Sequence, residues 1–125
     1  MRVGVPAEIK DHEDRVGLVP SSVAELVHHG HDVLIQKGAG DGAGLTDEQY
    51  VAAGARIVPD ADAIFRDSDM IVKVKEPLAT ERSKLKRGQV LFTYLHLAPD
   101  PAQTGDLLRS GVTAIAYETV TSPTG

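Results

Sequence analysis

At 125 residues and 42% hydrophobic content, the chain is long enough for one domain with a real core and has the composition of an ordinary soluble protein. Its net charge of −5 argues against a nucleic-acid surface, and with no cysteine it has no disulfide framework, thiolate metal site or thiol nucleophile, which fits a reducing compartment. Only 4% of residues are aromatic and none is Trp, so the core must be built from Val, Ile, Leu and Ala, as in a sheet buried on both faces.

The opening Met1-Arg2-Val3-Gly4-Val5-Pro6 is too short and too soon interrupted to be a signal peptide or a membrane span, so the chain reads as cytoplasmic. A first strand is expected over 2–9. A helix follows over 21–29, with a capping box in Ser22 and Glu25, an apolar stripe of Val23, Leu26 and Val27, and Gly30 as its stop. His28, His29 and His31 straddle that stop and offer no fixed geometry for a metal, so they read as surface histidines. The second strand spans 31–37. After it, Gly38-Ala39-Gly40-Asp41-Gly42-Ala43-Gly44 sits where a dinucleotide-binding loop would, but its glycine spacing is wrong and it lacks the Lys and Ser/Thr of a P-loop. It reads as a turn.

A second helix begins at Thr46, with Gln49 three residues on and Gly54 at its end. A strand over 55–58 and a helix over 60–66, capped by Asp60, come next. The fourth strand, 70–75, carries two lysines: by alternation Lys73 and Lys75 share a face with Ile71, and Pro77 ends the pairing. Desolvating an ammonium is costly, so at least one of these lysines should meet an anion, with Lys73 the more structural of the two. A helix near 80–87 includes the basic run Arg82-Ser83-Lys84-Leu85-Lys86-Arg87, which reads as a solvated helix end. The fifth strand covers 90–95. A last helix has Asp100 as cap, Pro101 in its first turn, apolar Leu107 and Leu108, and Gly111 as its stop, and a sixth strand covers 113–118. Residues 119–125 have linker character, so the domain is placed at 1–118.

This alternation implies an α/β fold: a mostly parallel sheet with helices on both faces, Rossmann-like or flavodoxin-like. In such sheets ligands bind beyond the carboxyl ends of the strands. Four polar residues qualify: Arg15 after the first strand, Lys75 at the end of the fourth, His96 after the fifth and Glu118 at the end of the sixth. Two cations and an imidazole at one sheet edge can bind a small carboxylate and move protons beside it. Each has a plainer explanation: Arg15 as a surface ion pair with Glu13 or Asp14, Lys75 paired with Glu76, and His96 as a structural histidine. Spacing alone does not bring the first, fourth and fifth strands together.

Several ordered motifs add a resemblance. These are Arg2-Val3-Gly4-Val5-Pro6, Arg15-Val16, Lys37-Gly38-Ala39-Gly40, Val72-Lys73-Val74-Lys75-Glu76-Pro77, Phe92-Thr93-Tyr94-Leu95-His96-Leu97 and Ile115-Ala116-Tyr117-Glu118-Thr119-Val120. Together they resemble the N-terminal part of alanine dehydrogenase, in the family shared with the α subunit of nicotinamide nucleotide transhydrogenase. The Lys-Glu-Pro and Tyr-Leu-His-Leu endings favour the dehydrogenase branch.

The resemblance implies NAD-dependent, reversible deamination of L-alanine to pyruvate and ammonium. Arg15 and Lys75 would bind the substrate carboxylate and carbonyl oxygen, His96 would be the acid/base, and Tyr94 would line the pocket. It also implies a homo-hexamer, no metal, no membrane or nucleic-acid partner, and NAD held by a domain absent from these 125 residues, toward which 119–125 would lead. The chain alone is then expected to be inactive, with a complementary NAD-binding chain as a partner. The rival readings are a fragment of a transhydrogenase-type α subunit and a non-enzymatic binding or oligomerisation module.

Overall fold

Strand and helix alternate along the chain as the sequence pattern requires. In the computed structural model, which describes residues 1–9, 13–93 and 101–116, the strands are β1 (Arg2–Val5), β2 (Asp32–Gln36), β3 (Arg56–Val58), β4 (Met70–Val72), β5 (Val90–Thr93) and β6 (Thr113–Ala116). Between them lie α1 (Pro20–His28), α2 (Asp47–Ala52), α3 (Ala61–Asp67), α4 (Ala79–Arg82) and α5 (Pro101–Ser110), with a 3-10 turn at Asp41–Ala43. The strands form one parallel sheet in the order β3-β2-β1-β4-β5-β6. This is the Rossmann order, distinct from the flavodoxin order, and its direction of growth reverses between β1 and β4. The crevice at that reversal is the natural ligand position.

Alternation along the strands divides the core in two. Val3, Val5, Val33, Ile35 and Val72 point to the face that also buries Val23 of α1 and Tyr50 of α2. Leu34, Ile71 and Leu91 point to the other, where Ile64 and Phe65 of α3 and Leu107 of α5 cover them. Gly4 is required where α3 approaches β1, because a Cβ there would collide with the Ser68 hydroxyl.

Several boundaries differ from expectation for local reasons. Helix α1 starts at Pro20, with Val19 as its N-cap and no side-chain cap. Pro20 presets the helical φ, so Ser22 falls inside the first turn and its box with Glu25 does not form. The Thr46–Gln49 box does form, with reciprocal bonds of 3.2 and 2.7 Å, and Asp60 caps α3 through the Ala63 N–H at 2.9 Å. Leu107 is buried, whereas Leu108 is 79% exposed and faces away from the core. Helix α4 is a single turn, and the basic run that starts at its last residue is tied down in part: Arg82 pairs with Asp106 at 2.8 Å and Lys84 with Asp62 at 2.9 Å. Strand β1 ends at Val5, because Pro6 has no N–H and the Ala7 N–H goes to the Gln36 side chain at 2.8 Å.

A candidate anion site at the switch point

Strand β4 also ends early, at Val72, which puts both lysines in the segment beyond it. The cause is Glu8, three residues past β1. Its Oε2 accepts the Val74 N–H at 3.0 Å and its Oε1 accepts the Lys75 N–H at 3.1 Å, so the donors that would have continued the ladder turn toward a carboxylate. Lys73 is 1% exposed and lies between Glu8 at 3.1 Å and Glu81 at 3.0 Å. Glu81 Oε1 also accepts the Leu78 N–H at 3.0 Å. The desolvation argument for the lysine strand is thus met by Lys73, whose anions come from the protein itself. Lys75 is half-buried, and its carbonyl accepts the Thr93 hydroxyl from the end of β5 at 2.8 Å.

The segment carrying Arg15 is laid over this edge by close backbone contacts. Gly17 rests on the β4 backbone: a Cβ there would stand 2.5 Å from the Val72 carbonyl oxygen and 3.3 Å from the Lys73 nitrogen. The buried Tyr50 hydroxyl donates to the Leu18 carbonyl at 2.7 Å. Gly42, from the glycine-rich loop, packs against Asp14, where a Cβ would come within 3.1 Å of its carbonyl oxygen. That loop is therefore a support for the Arg15 segment. It does not form a dinucleotide cradle: Gly40 is packed against Leu45 and Tyr50, and the Gly38 N–H is taken by the Asp47 carboxylate at 3.0 Å. The turn after β1, Pro6-Ala7-Glu8, has no glycine either, so the described residues do not fit NAD.

Arg15 is 67% exposed and holds Glu13 bidentately, through Nε at 3.0 Å and Nη2 at 2.8 Å. The ion pair anticipated from spacing is present. It stands next to the lysine segment: the Arg15 hydrogen bonds hold the Glu13 carboxyl down at about 2 against the opposing cost of desolvation, and Lys75 adds to the lowering. Because that group is depressed from 4.5, the stability it contributes is present above pH 4.5 and is lost as pH falls through about 2. An NMR titration of carboxyl carbons should therefore find Glu13 ionised at pH 3.5, and a midpoint near 4.5 would show that the pair does not persist in solution.

Of the residues singled out in the sequence, Arg15 and Lys75 lie at the same carboxyl edge, and β1, β4 and β5 are neighbours. His96, Tyr94 and Glu118 lie outside the described residues, as does Asp100. Among the described residues Glu8, Glu13 and Glu81 join them at this edge, and they had not been singled out as functional. Glu13 was visible only as a pairing option for Arg15, and nothing local ties Glu8 to Lys73. Among the described residues no group of three metal-ligating side chains occurs, and no helix is long and apolar enough to cross a membrane. A hollow between α4 and α5, lined by Arg82, Asp106 and Arg109, belongs to the packing of those helices and is separate from the switch point.

The fold defines a doubly wound α/β domain, and among its described residues three cations, Arg15, Lys73 and Lys75, and three carboxylates, Glu8, Glu13 and Glu81, gather around the switch point. The chain belongs to the family described as alanine dehydrogenase/PNT, N-terminal domain, whose profile matches residues 4–125. It is 54% identical to alanine dehydrogenase of Mycobacterium tuberculosis (strain CDC 1551 / Oshkosh) over 125 residues, covering 100% of this chain and 34% of that protein. It is 51% identical to alanine dehydrogenase of Bacillus subtilis (strain 168) over 120 residues, 96% of this chain and 32% of that one. Among solved structures, an L-alanine dehydrogenase superposes with a TM-score of 0.96 at 54% identity, covering 99% of this chain and 34% of the other. The transhydrogenase from Sinorhizobium meliloti does so with 0.89 at 30% identity, covering 97% and 37%. The dehydrogenase is the nearer of these two, and the chain spans about a third of the length of the curated relatives it matches.

Proposed function

We propose that this domain forms the substrate-binding part of an NAD-dependent alanine dehydrogenase, the enzyme class that interconverts L-alanine with pyruvate and ammonium. The observation that carries the reading is that the segment bearing Arg15, laid on β4 through Gly17, and the bend bearing Lys75 share the switch-point edge of a sheet, in a chain more than half identical to proteins of that name. A guanidinium suits a planar carboxylate, and a nearby ammonium polarises the carbonyl oxygen of an α-keto acid. In this reading Arg15 binds the carboxylate and Lys75 the carbonyl oxygen. His96, three residues beyond Thr93 in the chain, exchanges protons with the reacting oxygen and nitrogen, as an imidazole does near neutral pH. Tyr94 is assigned to the pocket wall. The nicotinamide cofactor is assigned to residues other than those described, among which no cradle for it occurs.

Titration of the folded chain with pyruvate tests the reading. Binding is expected, and Arg15→Ala and Lys75→Ala should each weaken it by about 10- to 100-fold, the loss of a charge-assisted contact. A folded chain indifferent to pyruvate, or variants that bind as the parent does, would overturn the assignment. With pyruvate, ammonium and NADH supplied together, the chain alone should show no turnover, and sustained NADH oxidation would refute the expectation that these 125 residues are inactive by themselves.

A further inference from the structure

We propose that Glu8 is the positioning residue of Lys75, fixing the backbone from which that ammonium reaches the substrate. The inference rests on the role given to Lys75 above. Glu8 contacts no reacting atom in this scheme and acts through the bend at residues 73–75. Its side chain is 2% exposed, and both oxygens are engaged: Oε1 with Lys73 Nζ and the Lys75 N–H, each at 3.1 Å, and Oε2 with the Val74 N–H at 3.0 Å. Two successive amides thus converge on one carboxylate, in the manner of a backbone anion nest.

The clamp crosses the switch point, since Glu8 follows β1 and the bend follows β4. Lys73 neutralises Glu8 inside the fold, and Glu81 holds Lys73 from the other side. On the far side of the same residue, the Thr93 hydroxyl holds the Lys75 carbonyl at 2.8 Å. The peptide units on either side of the Lys75 Cα are therefore fixed, one by a group from the β1 side and one by a group from β5. A lysine has four flexible carbons, so a fixed Cα is what narrows the volume its ammonium samples. A displacement of about 1 Å at such a group is enough to cost about 100-fold in a positioned reaction.

A purely structural role for Glu8 makes a different forecast, and a double-mutant cycle separates the two. In Glu8→Gln the amide nitrogen must face either the Val74 N–H or the Lys75 N–H together with the Lys73 ammonium, so at least one of those two backbone amides should exchange with solvent at least about tenfold faster while that of Ile71 in β4 keeps its rate. Pyruvate affinity should fall about tenfold in Glu8→Gln, yet Glu8→Gln should add nothing in a Lys75→Ala background. Thr93→Val, nearly isosteric and not itself a member of the ion cluster, should weaken pyruvate binding several-fold and likewise lose its effect in Lys75→Ala; it carries the test if Glu8→Gln does not fold. Unchanged exchange at Val74 and Lys75, or an equal loss of affinity with and without Lys75, would overturn the proposal. If the wild-type chain fails to bind pyruvate, the functional reading falls, and amide exchange alone decides whether the clamp exists.

Discussion

Replacing Lys73 by Met is expected to destabilise the chain by about 3–5 kcal/mol, the usual consequence of removing one partner from a buried ion cluster. The wild-type cluster places one ammonium between two carboxylates, with side-chain exposures of 1% for Lys73, 2% for Glu8 and 4% for Glu81. Methionine fills much the same volume, so no large cavity opens. What remains is a pair of carboxylates facing each other out of water, each still held by backbone N–H groups that prevent it from turning to solvent. With total stabilities of about 5–15 kcal/mol for domains of this kind, such a loss leaves the variant marginal. Urea unfolding should show the midpoint falling with little change in slope. Neutralising the whole cluster, with Glu8→Gln and Glu81→Gln added to Lys73→Met, should recover part of the loss, because no uncompensated charge then stays buried. A single-variant loss below about 1 kcal/mol would mean that the cluster is hydrated and not the dry triad described above.

Gly17→Ala should damage both stability and ligand binding, although position 17 itself need not touch a ligand. The new methyl would meet the Val72 carbonyl oxygen at 2.5 Å, its carbon at 2.9 Å and the Lys73 nitrogen at 3.3 Å. These are backbone atoms at the end of a central strand, and they cannot swing aside as a flexible side chain would. The Arg15 segment must lift instead, straining the Tyr50–Leu18 bond that anchors it. Overpacking of this sort costs about 1–3 kcal/mol. Because Arg15 rides on the same segment, pyruvate affinity should fall by about tenfold as well, in keeping with the sensitivity of positioned groups to small shifts. Thermal unfolding and pyruvate titration of one sample check both effects. A variant as stable as its parent would show that the segment does not rest on β4 in solution.

Much of the fold was legible because its signals are local. Six apolar runs punctuated by caps and glycines gave the alternation, and the alternation gave the parallel α/β class. Chain order could not say which strands are neighbours, and the choice between Rossmann and flavodoxin orders was settled only by the pairing of β1 with both β2 and β4. The length of β4 was overestimated for a related reason. Periodicity saw Val72-Lys73-Val74-Lys75 as continuing strand, whereas the carboxylate that ends it lies 66 residues from Val74 and 67 from Lys75. The box read at Ser22 and Glu25 failed for the opposite reason, since a stronger local signal, Pro20, lay two residues upstream. At the site, residue type and strand-end position singled out Arg15 and Lys75 as candidates, and the fold sets both segments at the carboxyl edge of the sheet. The acidic residues that organise them were passed over because carboxylates near a basic site look like solvated surface until the backbone contacts are known.

The bend beyond β4 separates holding from use. Glu8 and Thr93 grip residue 75 by its amide and carbonyl, atoms that every amino acid except proline supplies alike. The mount is thus indifferent to the tool it carries. Exchanging the side chain at 75 should leave the grip intact; on the role proposed for Lys75, this position is then a socket where a shorter, neutral or planar head group can be installed to test which small anions bind beside it.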